Sequence, residues 1–332
     1  GCLIDSDLDT RTGLPLTSTV SLLTTRDAAL LLGVHESSVK RWCADGDLLC
    51  VFTPGGHRRL HVPDLSAFAD VRALNFALRP FGPAAEHVWD GYRQARRGDF
   101  RPLSTVLYDL LGHGRTALVT DLFAFLGARS FALPTLLDRV LAPTMRRIGQ
   151  AYAKGRLSIG DEHFRTHLVR DALVTMHLDV QAGRPDAQRP HAGVPARPVA
   201  VVGCARSEAH ELGALMVRLL LEDQGWHVVY LGLNVPTEEF ARQQRQHRAH
   251  LVCISMMPPT GTPEAHVIAD VLGRLYDGAH PYHLVFGGAA VHTSVRTRAR
   301  GAPHLDIQVF NAMTAFAEWV GALDDLPVRP RP

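Results

Sequence analysis

After Pro198 the chain alternates short β-rich runs with helical stretches, and that alternation admits few folds. Val199–Val202, Val228–Leu231, Leu251–Ile254 and His283–Phe286 are the β-rich runs. Helical stretches lie between them, among them Glu208–Glu222 and Glu238–Arg245. Strand and helix in turn at this length predict a doubly wound parallel sheet over residues 199–323. In such a sheet ligands bind at the carboxyl ends of the strands, so the residues just after each run are the first candidates for function.

The texture upstream is different. From about Glu86 to Ala182 the chain reads as consecutive amphipathic helices, with breaks at Gly98, at Gly112-His113-Gly114, at Pro134 and near Gly155. That pattern predicts an antiparallel helical bundle over 82–182. Residues 183–198 are rich in Gly, Pro and Ala without apolar periodicity and read as a linker. Residues 1–20 are Ser/Thr/Asp-rich and read as a loose tail.

Between them, residues 21–76 read as a small module. Thr24 followed by Asp27 is a capping box with a short acid, opening a helix that Gly33 ends. His35-Glu36-Ser37-Ser38 opens a second helix carrying Val39, Lys40, Arg41 and Trp42, which Gly46 ends. Leu48–Val51 and Leu60–Val62 flank Pro54-Gly55-Gly56, the signature of a hairpin turn. The fold class is therefore multidomain α and α/β.

Composition narrows the classes of function. The 332 residues are 46% hydrophobic and 20% charged, ordinary for a soluble protein of two or three domains. The net charge of +2 excludes nucleic-acid affinity through global charge, so any such affinity needs a local patch. Cys2, Cys43, Cys50, Cys204 and Cys253 are odd in number and form no C-x-x-C, which argues against a disulfide framework or a zinc site and fits a reducing cytoplasm. No apolar run reaches membrane-spanning length and no signal-peptide pattern opens the chain. A cytoplasmic protein without a membrane partner is expected.

Three chemistry-bearing pieces follow strand runs. Glu208-Ala209-His210-Glu211-Leu212-Gly213 comes after the first, Ser255-Met256-Met257 ends the third, and Gly287-Gly288 follows the fourth. A neutral imidazole at His210 can ligate a metal, and Glu208 or another acid nearby could hold its second nitrogen. Gly213, Gly287 and Gly288 allow close approach of backbone or ligand. Ser255 could hydrogen-bond a buried heterocycle. Taken alone, His210 would be an ordinary loop histidine, one of 18 in the chain. The three pieces in order, however, resemble the cobalamin-binding signature of acid-x-His-x-x-Gly, Ser-x-Leu and Gly-Gly. The resemblance implies His210 as the lower axial ligand of cobalt, with the dimethylbenzimidazole tail displaced into the sheet domain. Met257 stands where that family carries Leu, an exchange that conserves volume.

The N-terminal module resembles the MerR-type winged helix-turn-helix. Ser37-Ser38-Val39-Lys40-Arg41-Trp42 stands for its second helix, and Thr53-Pro54-Gly55-Gly56-His57-Arg58-Arg59 for its wing. Asp64, Leu65 and Phe68 match the helix that follows. A helix start bearing Ser37, Ser38, Lys40 and Arg41 can enter a major groove, and a wing bearing His57, Arg58 and Arg59 can clamp phosphates. From Leu22 to Arg72 the module has 6 Lys+Arg against 6 Asp+Glu. A neutral module of this kind binds weakly alone, so a homo-oligomer, dimer or tetramer, is expected on double-stranded operator DNA.

The order of the parts, over about residues 22–323, resembles the CarH/LitR-type B12-dependent light-responsive transcriptional repressors. In that family adenosylcobalamin favours a DNA-binding tetramer in the dark, and light breaks the cobalt–carbon bond and disperses it. The resemblance therefore implies a switch and not an enzyme. The family's bundle carries Trp, nine residues, then Glu-His over the upper face of the corrin. Here Tyr152 holds the Trp position and Glu162 and His163 follow at the same interval. The best-studied type has a His directly after that Trp, where this chain has Ala153, which puts a bis-His light state in doubt. The smaller Tyr152 keeps open a photocobilin-like variant holding a bilin such as biliverdin beside cobalamin. Tyr152 packing merely between helices is the plainer alternative. A corrinoid methyl-carrier module of an enzyme system is the competing class, and the N-terminal module argues against it. A regulator that kept the fold but senses another small molecule is a third reading.

Overall fold

The structure is a computed structural model and describes residues 22–182, 197–258, 261–276, 278–289, 291–292, 294–295 and 305–323. The expected tail 1–20 and nearly all of the expected linker lie outside these residues. The chain forms two compact units. One comprises residues up to Phe131 together with Arg139–Gln150; the other comprises Ala132–Asp138 and everything from Ala151 onward.

In the first unit, α1 (Thr25–Leu32) starts at the expected capping box: the Thr24 hydroxyl accepts from the Asp27 amide, and the Asp27 carboxylate accepts from the Thr24 amide. α2 (Glu36–Ala44) follows. The hairpin is shorter than the sequence suggests. Only β1 (Val51–Phe52) and β2 (Arg58–Arg59) pair, Val51 with Arg59 and Phe52 with Arg58. Leu60 instead bridges to Leu23, and Val62 opens α3 (Val62–Val71) with Pro63 in its first turn. The physical reason is burial: Leu48 and Leu60 are core anchors with Leu23, Leu31, Val39 and Leu65, while the tip between them projects outward. Beyond α3 come α4 (Ala85–Ala95), α5 (Arg101–Gly112) and α6 (Thr116–Gly127), with breaks at Gly98 and Gly112–Gly114 as expected. Trp89, Leu103, Leu107 and Leu122 form their buried seam.

The chain then passes from α7 (Leu133–Leu136) through a π-turn, Leu137–Leu141, into α8 (Ala142–Ala153). α7 belongs to the second unit and most of α8 to the first. In the second unit, α9 (Ile159–Ala182) precedes the sheet. The sheet has five parallel strands: β3 (Val199–Cys204), β4 (His227–Gly232), β5 (Leu251–Ser255), β6 (His283–Gly287) and β7 (Asp306–Phe310). Their spatial order is β4-β3-β5-β6-β7. The helices are α10 (Leu212–Asp223), α11 (Thr237–His247), α12 (Thr262–Arg274) and α13 (Met313–Gly321). Alternate strand residues feed two cores. Val201, Val252, Ile254, Leu284 and Phe286 pack with α11 and α12, and Ala200, Val202, Cys253 and Val285 pack with α10 and α13.

Two features of the second unit differ from the sequence expectation. β7 adds a fifth strand, and its residues explain why no apolar run marks it: Ile307 and Val309 are buried, but Asp306, Gln308 and Phe310 alternate with them at a sheet edge. The helix expected from Glu208 begins only at Leu212, because Glu208–Glu211 belong to a loop held by side-chain hydrogen bonds. One further tie stands out. Asp138 accepts from the amides of Met313 and Thr314, at 2.7 and 2.8 Å, and so satisfies the open first turn of α13.

Candidate cofactor site and nucleic-acid face

The strand order turns back on itself between β3 and β5. β3 connects through α10 to β4 on one side, and the chain then crosses through α11 to β5 on the other. The two strands therefore leave a crevice at their carboxyl ends, where an open α/β sheet binds ligands. Register aligns Cys204, Ser255 and Gly287 across this edge. The loop from Ala205 to Glu211 sits at the crevice, tied by the Ala205 amide to the Ser255 carbonyl at 3.2 Å and by the Ser207 amide to Asn234 Oδ1 at 2.9 Å.

Glu208 organises the loop. Its side chain is 2% exposed. One oxygen accepts from the His210 amide at 2.9 Å and meets His210 Nδ1 at 2.6 Å; the other accepts from the Met257 amide at 2.5 Å. Burial pushes this carboxyl up, but the two amides and the His210 ring outweigh that and hold it below the ordinary glutamate range. An ionised Glu208 requires the proton of His210 on Nδ1, which leaves the Nε2 lone pair for a metal. The His210 side chain is 61% exposed, and among the described residues Nε2 makes no hydrogen bond.

The small residues are placed by contact. A Cβ on Gly213 would stand 2.7 Å from Ser255 Oγ, so this glycine leaves the Ser255 hydroxyl its room. Gly288 has φ +112°, and a Cβ there would stand 1.9 Å from the Met256 carbonyl oxygen. A Cβ on Gly287 would stand 3.5 Å from the Phe310 carbonyl oxygen, an ordinary contact, so nothing there requires a glycine. Glu208, His210, Gly213, Ser255, Met257, Gly287 and Gly288 thus gather at one end of the sheet. These residues fit a cobalt-bearing group: an exposed imidazole whose Nδ1 is held by a buried carboxylate stands at the strand ends among closely packed small residues.

Tyr152 lies at the end of α8 and is 45% exposed. Glu162 and His163 lie in the first turn of α9; Glu162 accepts from Thr166 Oγ1 at 2.9 Å and is 3.7 Å from His163 Nε2. A residue that sequence reasoning missed is Glu211. It accepts from Arg170 of α9 at 2.8 Å and from Tyr230 of β4 at 3.0 Å. Arg218 lies 5.1 Å over the Tyr230 ring and donates to Glu222, which also meets His177. This network ties α9 to α10 directly behind His210. Its members are scattered from 170 to 230, so no local pattern announces them.

In the first unit, Ser37, Lys40 and Arg41 are exposed on α2 and Ser38 is half-buried. Lys40 pairs with Glu36 at 3.0 Å, and Ser37 Oγ meets His35 Nδ1 at 2.7 Å. His57 is exposed at the hairpin turn. Arg58 lies over the Phe52 ring at 5.5 Å, and Arg59 donates to the Arg58 carbonyl at 2.9 Å. The hairpin tip is also apolar: Phe52 is 62% exposed.

Comparison with known proteins finds three family matches along the chain. Residues 198–318 match a family described as B12 binding domain, residues 104–175 match a second B12 binding domain family, and residues 22–70 match a helix-turn-helix domain. The HTH-type transcriptional repressor CarH of Myxococcus xanthus is 32% identical over 178 residues, covering 52% of this chain and 54% of that protein. The HTH-type transcriptional repressor CarA of the same organism is 28% identical over 151 residues, 46% of each. The chain spans about half the length of these two relatives. The solved Methanosarcina barkeri monomethylamine corrinoid protein superposes with a TM-score of 0.50 at 16% identity, covering 64% of this chain and 94% of that one, a likeness of fold. No helix among the described residues is long and apolar enough to cross a membrane.

Proposed function

We propose, from the premise that this chain joins a helix-turn-helix domain to B12-binding domains as a CarH-type B12-binding transcriptional regulator does, that it binds operator DNA and uses cobalamin as a light-sensitive switch. The observation that carries the reading is the Glu208–His210 pair at the strand-end crevice, with Nε2 directed away from its carboxylate partner. His210 would hold the cobalt through Nε2, and Glu208 would fix its tautomer and orientation. Gly213 leaves the Ser255 hydroxyl its room and Gly288 lets its loop pack against the Met256 carbonyl, and Ser255 would offer the displaced tail a hydrogen bond. Tyr152, Glu162 and His163 would contact the cofactor on the side away from His210. Bound cobalamin would supply a light-cleavable cobalt–carbon bond.

Recognition of DNA falls to α2 and the hairpin. Ser37, Ser38, Lys40 and Arg41 reach toward base edges and His57, Arg58 and Arg59 toward phosphates. A neutral module needs a second copy for tight binding, so the active form is a homo-oligomer whose assembly depends on the upper ligand. It acts as a repressor in the cytoplasm, and no turnover is required. A second reading, a bilin such as biliverdin bound beside cobalamin, is favoured by the exposure of Tyr152 and the absence of a ligating side chain at Ala153.

The test is an absorption spectrum of cobalamin-loaded protein in the dark and after illumination, paired with sedimentation and operator binding. A cobalamin spectrum that changes with light, together with a change in assembly and DNA affinity, supports the reading. Long-wavelength absorbance would assign a bilin. Protein that retains no cobalamin after gel filtration would overturn it.

A further inference from the structure

The first unit has a concave depression of about 640 Å³ between the α4–α5 turn and the start of α8, lined by none of the residues assigned above to cobalamin or DNA. We infer that it binds a compact phosphate-bearing anion, of the size and charge of a di- or triphosphate group. Four arginines line it, Arg97, Arg101, Arg139 and Arg147, against a single carboxylate, Asp99. The first two come from one turn of chain and the last two from another, about two helical turns apart, so the fold brings like charges together from separate segments.

The guanidinium groups are held in place by different means. Asp99 grips Arg101 with two hydrogen bonds, at 2.9 and 2.7 Å. Arg139 lies 5.1 Å over the Phe100 ring and donates to the Gly98 carbonyl at 3.3 Å. Arg147 lies 3.9 Å over the Tyr108 ring. Stacking fixes the plane of a guanidinium but leaves its edge donors free to meet a ligand. Among the described residues, Arg97, Arg139 and Arg147 form no ion pair with a carboxylate. Asp99 is the one acid in the lining, and it also accepts from the Arg101 amide at 3.1 Å. The site rests on the arginines.

Their chemistry selects the ligand. Guanidinium forks match phosphate oxygens in paired hydrogen bonds. The volume falls within the range of small-molecule pockets, roughly 300–1,000 Å³. A duplex presents its phosphates one at a time along a ridge, whereas a hollow lined by four arginines suits several negative charges packed together. Binding there would relieve the repulsion among the arginines and pin the α4–α5 turn to α8 within the same unit. The inference is independent of the cobalamin reading.

The experiment is calorimetric titration of the full chain with pyrophosphate and with ATP, ionic strength being matched with sodium chloride, alongside orthophosphate and a random-sequence duplex. Saturable binding of pyrophosphate or ATP is expected, with orthophosphate weaker. Arg139→Ala combined with Arg147→Ala should weaken it by about tenfold or more. Arg147→Lys, which keeps the charge but not the fork, should fall between. Arg115→Ala, a basic residue of the same unit outside the lining, controls for general charge, and circular dichroism confirms folding. Equal binding by wild type and the double variant would overturn the inference, as would no binding above the chloride control. A duplex that binds while pyrophosphate does not, with the double variant weakening only the duplex, would assign the patch to the DNA backbone and overturn it too.

Discussion

Gly213 and Ser255 meet at the carboxyl edge of the sheet so closely that a methyl group on the glycine would stand 2.7 Å from the serine hydroxyl oxygen. Helix α10 starts in close contact with the end of β5 because the first of these residues has no side chain. The same contact makes the pair a gauge of the strand-end site. Gly213→Ala must push Ser255 Oγ aside, and Ser255→Ala removes the hydroxyl without crowding. Both variants are expected to fold, and Gly213→Ala is expected to weaken cobalamin binding more than Ser255→Ala. Equilibrium dialysis measures the two constants, and equal retention by Gly213→Ala and wild type would remove the pair from the account.

Glu208 is expected to matter through His210 and not through direct contact with a ligand. Second-sphere carboxylates of this kind typically contribute about 10–100-fold in metal affinity. Glu208→Gln keeps the shape and an acceptor oxygen for one amide but gives up the charge. It should weaken cobalamin retention within that range while the sheet stays folded. Glu208→Ala strands the Met257 and His210 amides as well and should lower the unfolding midpoint measurably. Retention unaffected by both substitutions would separate Glu208 from the site.

Legibility in the sequence follows the length scale of each signal. The strand-end pieces can be found because each lies within six residues of chain, and four of the five strands because they are continuous apolar runs. β7 is hidden because only Ile307 and Val309 of its five residues are buried. The start of α10 is displaced from its expected place because Glu208 has good helix propensity, and what stops the helix there is its hydrogen bond to Met257, far along the chain. The ties of Glu211 to Arg170 and Tyr230, and of Asp138 to α13, are likewise pairings between distant residues with no local pattern.

For the DNA-binding face, the expected role of Arg58 and Arg59 is sequence-independent. Removing one phosphate-binding arginine should reduce the slope of log affinity against log salt by about 0.9. Arg58→Ala and Arg59→Ala should weaken operator and random DNA alike, whereas Lys40→Ala or Arg41→Ala should weaken operator DNA more. Fluorescence anisotropy across a salt series reads both quantities, and wild-type behaviour of both wing variants would exclude the hairpin from the interface.

Ala153 sets the expected character of the illuminated state. It follows Tyr152 at the end of α8 and carries no ligand atom. The light state should therefore hold water or another exchangeable ligand above cobalt, and Ala153→His should give a state that recovers more slowly. Recovery kinetics in the dark measure this. Two histidine nitrogens on cobalt in the illuminated wild type would contradict it.

The central claim, that His210 Nε2 holds cobalt from below, is tested most directly by electron paramagnetic resonance of protein loaded with cobalamin and reduced to the cobalt(II) state. Protein grown on ¹⁵N-histidine is compared with protein of natural isotope content. The nitrogen splitting is expected to change from a triplet to a doublet pattern on labelling, and His210→Ala to lose this signal along with most of its cofactor. A splitting that ignores the label would mean that the ligand is not a histidine of this chain, and would contradict the account.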